Sequence, residues 1–107
     1  MLLSISLSFM MITCEKEPQV QLLKFEIKEL ICQDGQRIFE GRLLELGGIK
    51  TFSTNIKTQK AEIRYWDNQI KAIEVEKHLS DFGFTIDGVQ GNNIARKRLP
   101  SCCLNED

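Results

Sequence analysis

Residues 20–30 read VQLLKFEIKEL, with Leu23, Phe25 and Ile27 alternating with Lys24, Glu26 and Lys28. A period of two puts the apolar set on one side of an extended chain and the charges on the other, the pattern of a strand with one wet face. The rhythm then changes. Phe39, Leu43 and Leu46 recur at i, i+4 and i+7, which makes an apolar stripe on a helix predicted over 36–46. Asp34 stands where its carboxylate could cap that helix, and Gly47 and Gly48 stop it. The next segment, IKTFSTNI, predicts a second strand with Phe52 and Ile56 inward. After the polar turn KTQK, Ala61, Ile63 and Tyr65 alternate with Glu62, Arg64 and Trp66, so the two segments suit a hairpin. A loop over 67–71 leads to a second helix over 72–82, where Val75, Leu79 and Phe82 repeat the first stripe. Gly83 ends it, and FTIDGV predicts a last short strand.

The predicted order is β-α-β-β-α-β. A four-stranded antiparallel sheet with both helices on one face, an α+β arrangement, accounts for that order and for strands that are apolar on one side only. The expected core is Leu23, Phe25, Ile27, Phe39, Leu43, Ile63, Val75, Leu79 and Phe82.

Composition sets the class. The chain has 107 residues, 42% of them hydrophobic and 27% charged, which is the balance of one folded domain. Fourteen basic and fifteen acidic residues leave a formal net charge of -1, so no global charge argues for nucleic acid or an anionic surface. No Ser/His/Asp set, no HExxH and no phosphate loop is present, and there is one histidine, so an enzyme is not expected. An RNA-binding sheet would need exposed aromatics with basic support, whereas Glu62 and Arg64 beside Trp66 cancel in charge.

The ends depart from this pattern. Residues 1–13 carry no charge, and the run is too short for a membrane span, which needs roughly 20 residues. It has the length of a secretory h-region, although nothing basic precedes it. MITC, followed at once by Glu15, Lys16 and Glu17, resembles a loose bacterial lipobox, which implies lipid attachment at Cys14. The expected division is a signal or lipoprotein segment and tether over 1–19, a domain over 20–90, and a flexible tail over 91–107. On this reading the chain is periplasmic or a membrane-anchored lipoprotein of a bacterium, with the cytoplasm as the alternative. The tail carries Arg96, Lys97 and Arg98, a cluster short enough to be a solvated surface, and the adjacent Cys102 and Cys103. A bond between those two neighbours would be strained, so they are free or pair elsewhere.

The order and spacings resemble the heavy-metal-associated domain, the family of small copper chaperones, mercury-binding periplasmic proteins and N-terminal modules of metal-pumping ATPases. That family opens with Gly-Met-x-Cys-x-x-Cys between its first strand and first helix, followed by Gly-Val after the helix, a strand ending in Tyr, and Gly-Tyr or Gly-Phe after the second helix. Here Gly48-Ile49, Tyr65 and Gly83-Phe84 stand at the matching distances, with Ile70, Val75 and Leu79 at apolar positions between them. The resemblance covers the larger part of the chain without a gap. It implies a ferredoxin-like sandwich, a soft-metal ligand at Cys32, and a metal transporter or another domain of the same kind as partner.

The metal motif departs from the family. Glu29 takes the Gly position, Leu30 the Met position, Cys32 the first ligand position and Gly35 the second. Two thiolates at a helix start suit soft ions such as Cu(I), Zn(II) or Hg(II), and the helix N-terminus favours the thiolate. Cys32 keeps the second advantage and lacks the neighbouring thiol. Without that neighbour, thioredoxin-like disulfide chemistry is not expected. Glu29 opposes ionisation of the thiol through its charge, and Asp34 is accounted for as a cap. His78 reads as a flank residue of the second helix. Three arrangements remain: a cluster of Cys32 with Cys102 and Cys103 if the tail folds back, a metal shared between two molecules through paired Cys32, or a small buried Cys32 with no metal. Two functions follow, weak soft-metal binding or trafficking through Cys32, and a degenerate domain that serves protein–protein contact. Restoring the motif with Gly35→Cys is expected to raise metal affinity.

Overall fold

The computed structural model describes residues 17–104. Cys14 and most of the expected leader therefore lie outside the described residues. Within them, β1 (Val20–Glu26), α1 (Gln33–Leu44), β2 (Ile49–Asn55), β3 (Lys60–Trp66) and α2 (Ala72–Asp81) follow the predicted order. A one-turn helix α3 (Asn93–Arg96) and a 3-10 turn (Ser101–Leu104) come after them.

Alternation along the strands becomes register. β3 lies at the centre of the sheet, antiparallel to β1 on one side and to β2 on the other. Leu23 pairs with Ile63 and Phe25 with Ala61, which brings the apolar sides onto one face. Phe39 and Leu43 of α1 and Val75 and Leu79 of α2 complete a single core with Phe25, Ile27, Ala61, Ile63 and Tyr65. Both helices thus cover the same face. Leu23 and Phe82, expected in the core, are only half-buried at its margin. Helix α1 begins at Gln33, with Cys32 in the N-cap position, rather than near residue 36. Asp34 lies in its first turn and does not cap it.

The fourth strand is not formed: the sheet has three strands, ordered β1-β3-β2, and this corrects the expected four. Ile86 makes a single bridge to Ile27 beside the end of β1. The reason lies in the next two residues. Asp87 and Gly88 both have positive φ, 48° and 83°, as a tight hairpin turn of the I′ kind requires. They fold Val89 back onto Ile86, with Ile86 N–H to Val89 O at 3.0 Å and Val89 N–H to Ile86 O at 2.8 Å. The Asp87 carboxylate also accepts the Glu26 N–H at 2.8 Å, which occupies the edge of β1 where strand pairing would continue. FTIDGV is apolar enough for a strand, but its Asp-Gly pair turns the chain away after one bridge.

The segment expected to be a flexible tail instead packs on the domain. Asn92 caps α3 by accepting the Ala95 N–H at 3.0 Å. Leu99 and Cys103 enter the core at 8% and 2% exposure. Gly91 and Gly83 make the crossing possible. A Cβ on Gly91 would lie 2.6 Å from Ser80 O, and one on Gly83, whose φ is +98°, would run into the backbone of Ala95 and Arg96. These glycines read as breakers in sequence, yet in space they let the C-terminal strap approach the end of α2.

A three-cysteine site at the start of the first helix

The site forms where the chain leaves β1 and enters α1. Leu30 is fully buried and fills the space beneath the loop, as an apolar residue there should. Glu29 beside it is also fully buried, so its carboxylate needs partners. It accepts the Thr85 N–H, the Thr85 hydroxyl at 2.8 Å and the Arg96 Nε–H at 3.1 Å. The sequence presented Glu29 as a charge disfavouring the Cys32 thiolate. The structure makes it the anchor that holds Thr85 and the C-terminal strap against the loop that leads into α1.

That strap delivers the missing thiols. Cys32 is bonded to Cys102 across 70 residues of sequence, with Cα atoms 6.1 Å apart. Cys103 is a free, buried thiol whose sulfur lies 3.7 Å from Cys32 Sγ. The three sulfurs all lie within 4.8 Å of one another, with Cys32 and Cys102 half-buried and Cys103 buried. The tail folds back, as the three-cysteine arrangement requires, and it places Cys32 in a disulfide with Cys102.

Gly35 shows how the cluster is accommodated. A Cβ on Gly35 would fall 2.6 Å from Cys103 Sγ, 2.9 Å from Glu29 O and 3.5 Å from Cys32 Sγ. The Cys103 sulfur therefore occupies the space that a side chain at the second position of Cys-x-x-Cys would need. The electrostatics differ from those of a local pair. Burial pushes the Cys103 thiol above its ordinary range, and the Glu29 and Asp34 carboxylates push it in the same direction.

His78 stays apart from this cluster. Its Nε2 lies 3.0 Å from Arg42 O and 3.2 Å from a Glu45 carboxylate oxygen, and its ring meets Phe82 edge-on. It ties α2 to the end of α1, consistent with a flank position. The residues that sequence reasoning missed are Thr85 and Arg96, whose contacts with Glu29 span 56 and 67 residues. The available signal was an acidic side chain at the end of the alternating run 20–30 and next to Leu30, which needs a hydrogen-bond partner wherever the fold encloses it.

No family model matches the chain, and no curated protein matches it. Among solved structures it is similar to oxidized MerP from Ralstonia metallidurans CH34, with a TM-score of 0.60 and 13% identity, over 64% of this chain and 96% of that one. At that identity the likeness establishes the fold. The chain shares the fold of that MerP structure, with its fourth strand reduced to a bridge, and it brings three cysteine sulfurs close enough together to hold a metal ion once the Cys32–Cys102 bond is reduced.

Proposed function

We propose that the chain, once its disulfide is reduced, binds one soft metal ion as cargo through Cys32 and Cys103, with Cys102 as the third thiol. The observation that carries this reading is the Cys103 sulfur in the space above Gly35, 3.7 Å from Cys32 Sγ. A second thiol is thereby supplied to the start of α1 by the strap rather than by the local motif. Three sulfur donors suit Cu(I), Zn(II) or Hg(II) and are poorly matched to hard ions. Each must lose its proton to bind, so metal uptake releases protons and strengthens with pH. The half-buried Cys32 and Cys102 leave the cluster reachable from one side, as handover to a partner requires. The partners this implies are a metal transporter or another domain of the same kind. Among the described residues no helix is long and apolar enough to cross a membrane, and attachment through a lipid on Cys14, with a periplasmic or membrane-anchored location, remains part of the proposal.

The test is a competition titration of the full chain, reduced with a phosphine, against a chromophoric Cu(I) chelator and separately against Zn(II) and Hg(II) competitors. One-to-one binding that drops at least tenfold in both Cys32→Ser and Cys103→Ser supports the reading. A folded, reduced wild type that binds none of the three ions overturns it and favours a domain used for protein contact.

A further inference from the structure

The cluster holds more than a set of donors: a free thiol in contact with one sulfur of a disulfide is the starting arrangement for thiol–disulfide exchange. Cys32 Sγ is bonded to Cys102 and 3.7 Å from Cys103 Sγ. Cys102 and Cys103 are adjacent on the same 3-10 turn. Either can therefore pair with Cys32 without a long movement of the chain. The two products differ in one respect. With Cys32 bonded to Cys102, the spare thiol is Cys103, which is 2% exposed. With Cys32 bonded to Cys103, the spare thiol belongs to the half-buried Cys102.

We propose that Cys32, Cys102 and Cys103 form an internal disulfide switch, in which the Cys103 thiolate attacks Cys32 Sγ and exports a reactive thiol to Cys102. In this step the Cys103–Cys32 bond forms and the Cys32–Cys102 bond breaks. The electron pair of the broken bond leaves on Cys102 as a thiolate. The Cys103 proton passes to water, and Cys102 takes one from water or stays ionised, so no external oxidant or reductant is consumed. The exported thiolate is then placed to attack the disulfide of another molecule, either a low-molecular-weight disulfide or that of a protein. That second step forms a mixed disulfide at Cys102 and releases the other sulfur as a thiolate. The switch gives the oxidised protein a chemistry of its own. Cys32 has no partner within its own Cys-x-x-Cys position, and the exchange partners arrive instead from the far end of the chain.

The experiment uses the oxidised full chain with a chelator present, so that its outcome is independent of metal binding. The native protein is incubated with iodoacetamide, quenched in acid once all free thiol is capped, and digested without reduction. Fragmentation of the linked peptides then locates the label. The expected result is label on Cys102 in most labelled molecules, with Cys32 bonded to Cys103, and no label on Cys102 in oxidised Cys103→Ser. A second arm oxidises reduced Cys102→Ser with diamide, and a Cys32–Cys103 bond is expected in the folded chain. Label confined to Cys103 with the Cys32–Cys102 bond intact overturns the proposal. So does an unlabelled wild type, or a Cys102→Ser protein that fails to form the Cys32–Cys103 bond.

Discussion

The sulfur of Cys103 sits where a side chain on Gly35 would have to go, 2.6 Å from the Cβ that any other residue would place there. A glycine in the motif and a cysteine in the strap are thus two halves of one packing solution. The glycine costs the helix some stability through its freedom in the unfolded chain, and the buried Cys103 returns apolar contact.

Gly35→Cys, which the sequence alone recommends as a repair, is expected to do damage in this fold. Its Cβ would press on Cys103 Sγ and on the Glu29 carbonyl, and the carbonyl is backbone that cannot swing aside. Overpacking of this kind costs about 1–3 kcal/mol. Gly35→Ala isolates the steric effect from added sulfur. Urea denaturation should show the loss, and alkylation of Cys103 should become faster as the strap is displaced. An alanine variant with wild-type stability and equal Cys103 protection would refute this account of the glycine.

Removing the Glu29 carboxylate should loosen the strap at its root. Glu29 is fully enclosed and Arg96 is only 14% exposed in its side chain, so Glu29→Ala takes one partner from a buried pair. Losses of about 3–5 kcal/mol are typical of that change. Hydrogen exchange should report it locally, with protection falling at Thr85 and across α3 more than in β3. Uniform loss of protection over the whole sheet would mean that Glu29 supports the fold globally rather than the strap.

Alkaline pH should weaken the oxidised protein through Cys103. Its thiol is held above the ordinary range by burial and by the Glu29 and Asp34 carboxylates, so the folded state keeps the proton more tightly than the unfolded state does. The stabilisation is whole below the unfolded thiol value of about 8.5 and is lost as pH rises toward and through the folded value. Stability of wild type should therefore fall more steeply above that range than stability of Cys103→Ala. Parallel curves for the two proteins would remove Cys103 from the alkaline transition.

The core itself offers a plain comparison. Leu79 is fully buried between α2 and the sheet, and Leu79→Ala should cost about 2–5 kcal/mol. Leu44, at 72% exposure on the last turn of α1, should tolerate the same change within about 0.5 kcal/mol. Chemical denaturation of the pair measures both.

The elements that were legible in the chain are those whose signal is local. Leu23, Phe25 and Ile27 mark β1 by alternation, and Ala61, Ile63 and Tyr65 do the same for β3, because side chains on a strand change sides at every residue. Phe39 with Leu43, and Val75 with Leu79, mark the helices because residues four apart share a helix face. The last strand was misread where two local signals compete: the alternation of Phe84, Thr85 and Ile86 suggests pairing, and Asp87-Gly88 imposes a turn that ends it. The site needed tertiary structure. Cys32 and Cys103 are 71 residues apart, and no periodicity relates them. What joins them is the buried Glu29 carboxylate, which must be hydrogen-bonded and so holds Thr85 and Arg96, together with glycines small enough to let the strap cross the end of α2. The sequence by itself thus determined a thiol at the start of the first helix in a β-α-β-β-α order. Only the packing of the C-terminal strap decided that this thiol has two companions, because contacts between distant segments depend on the shapes and polar demands of surfaces that exist only once the chain has folded.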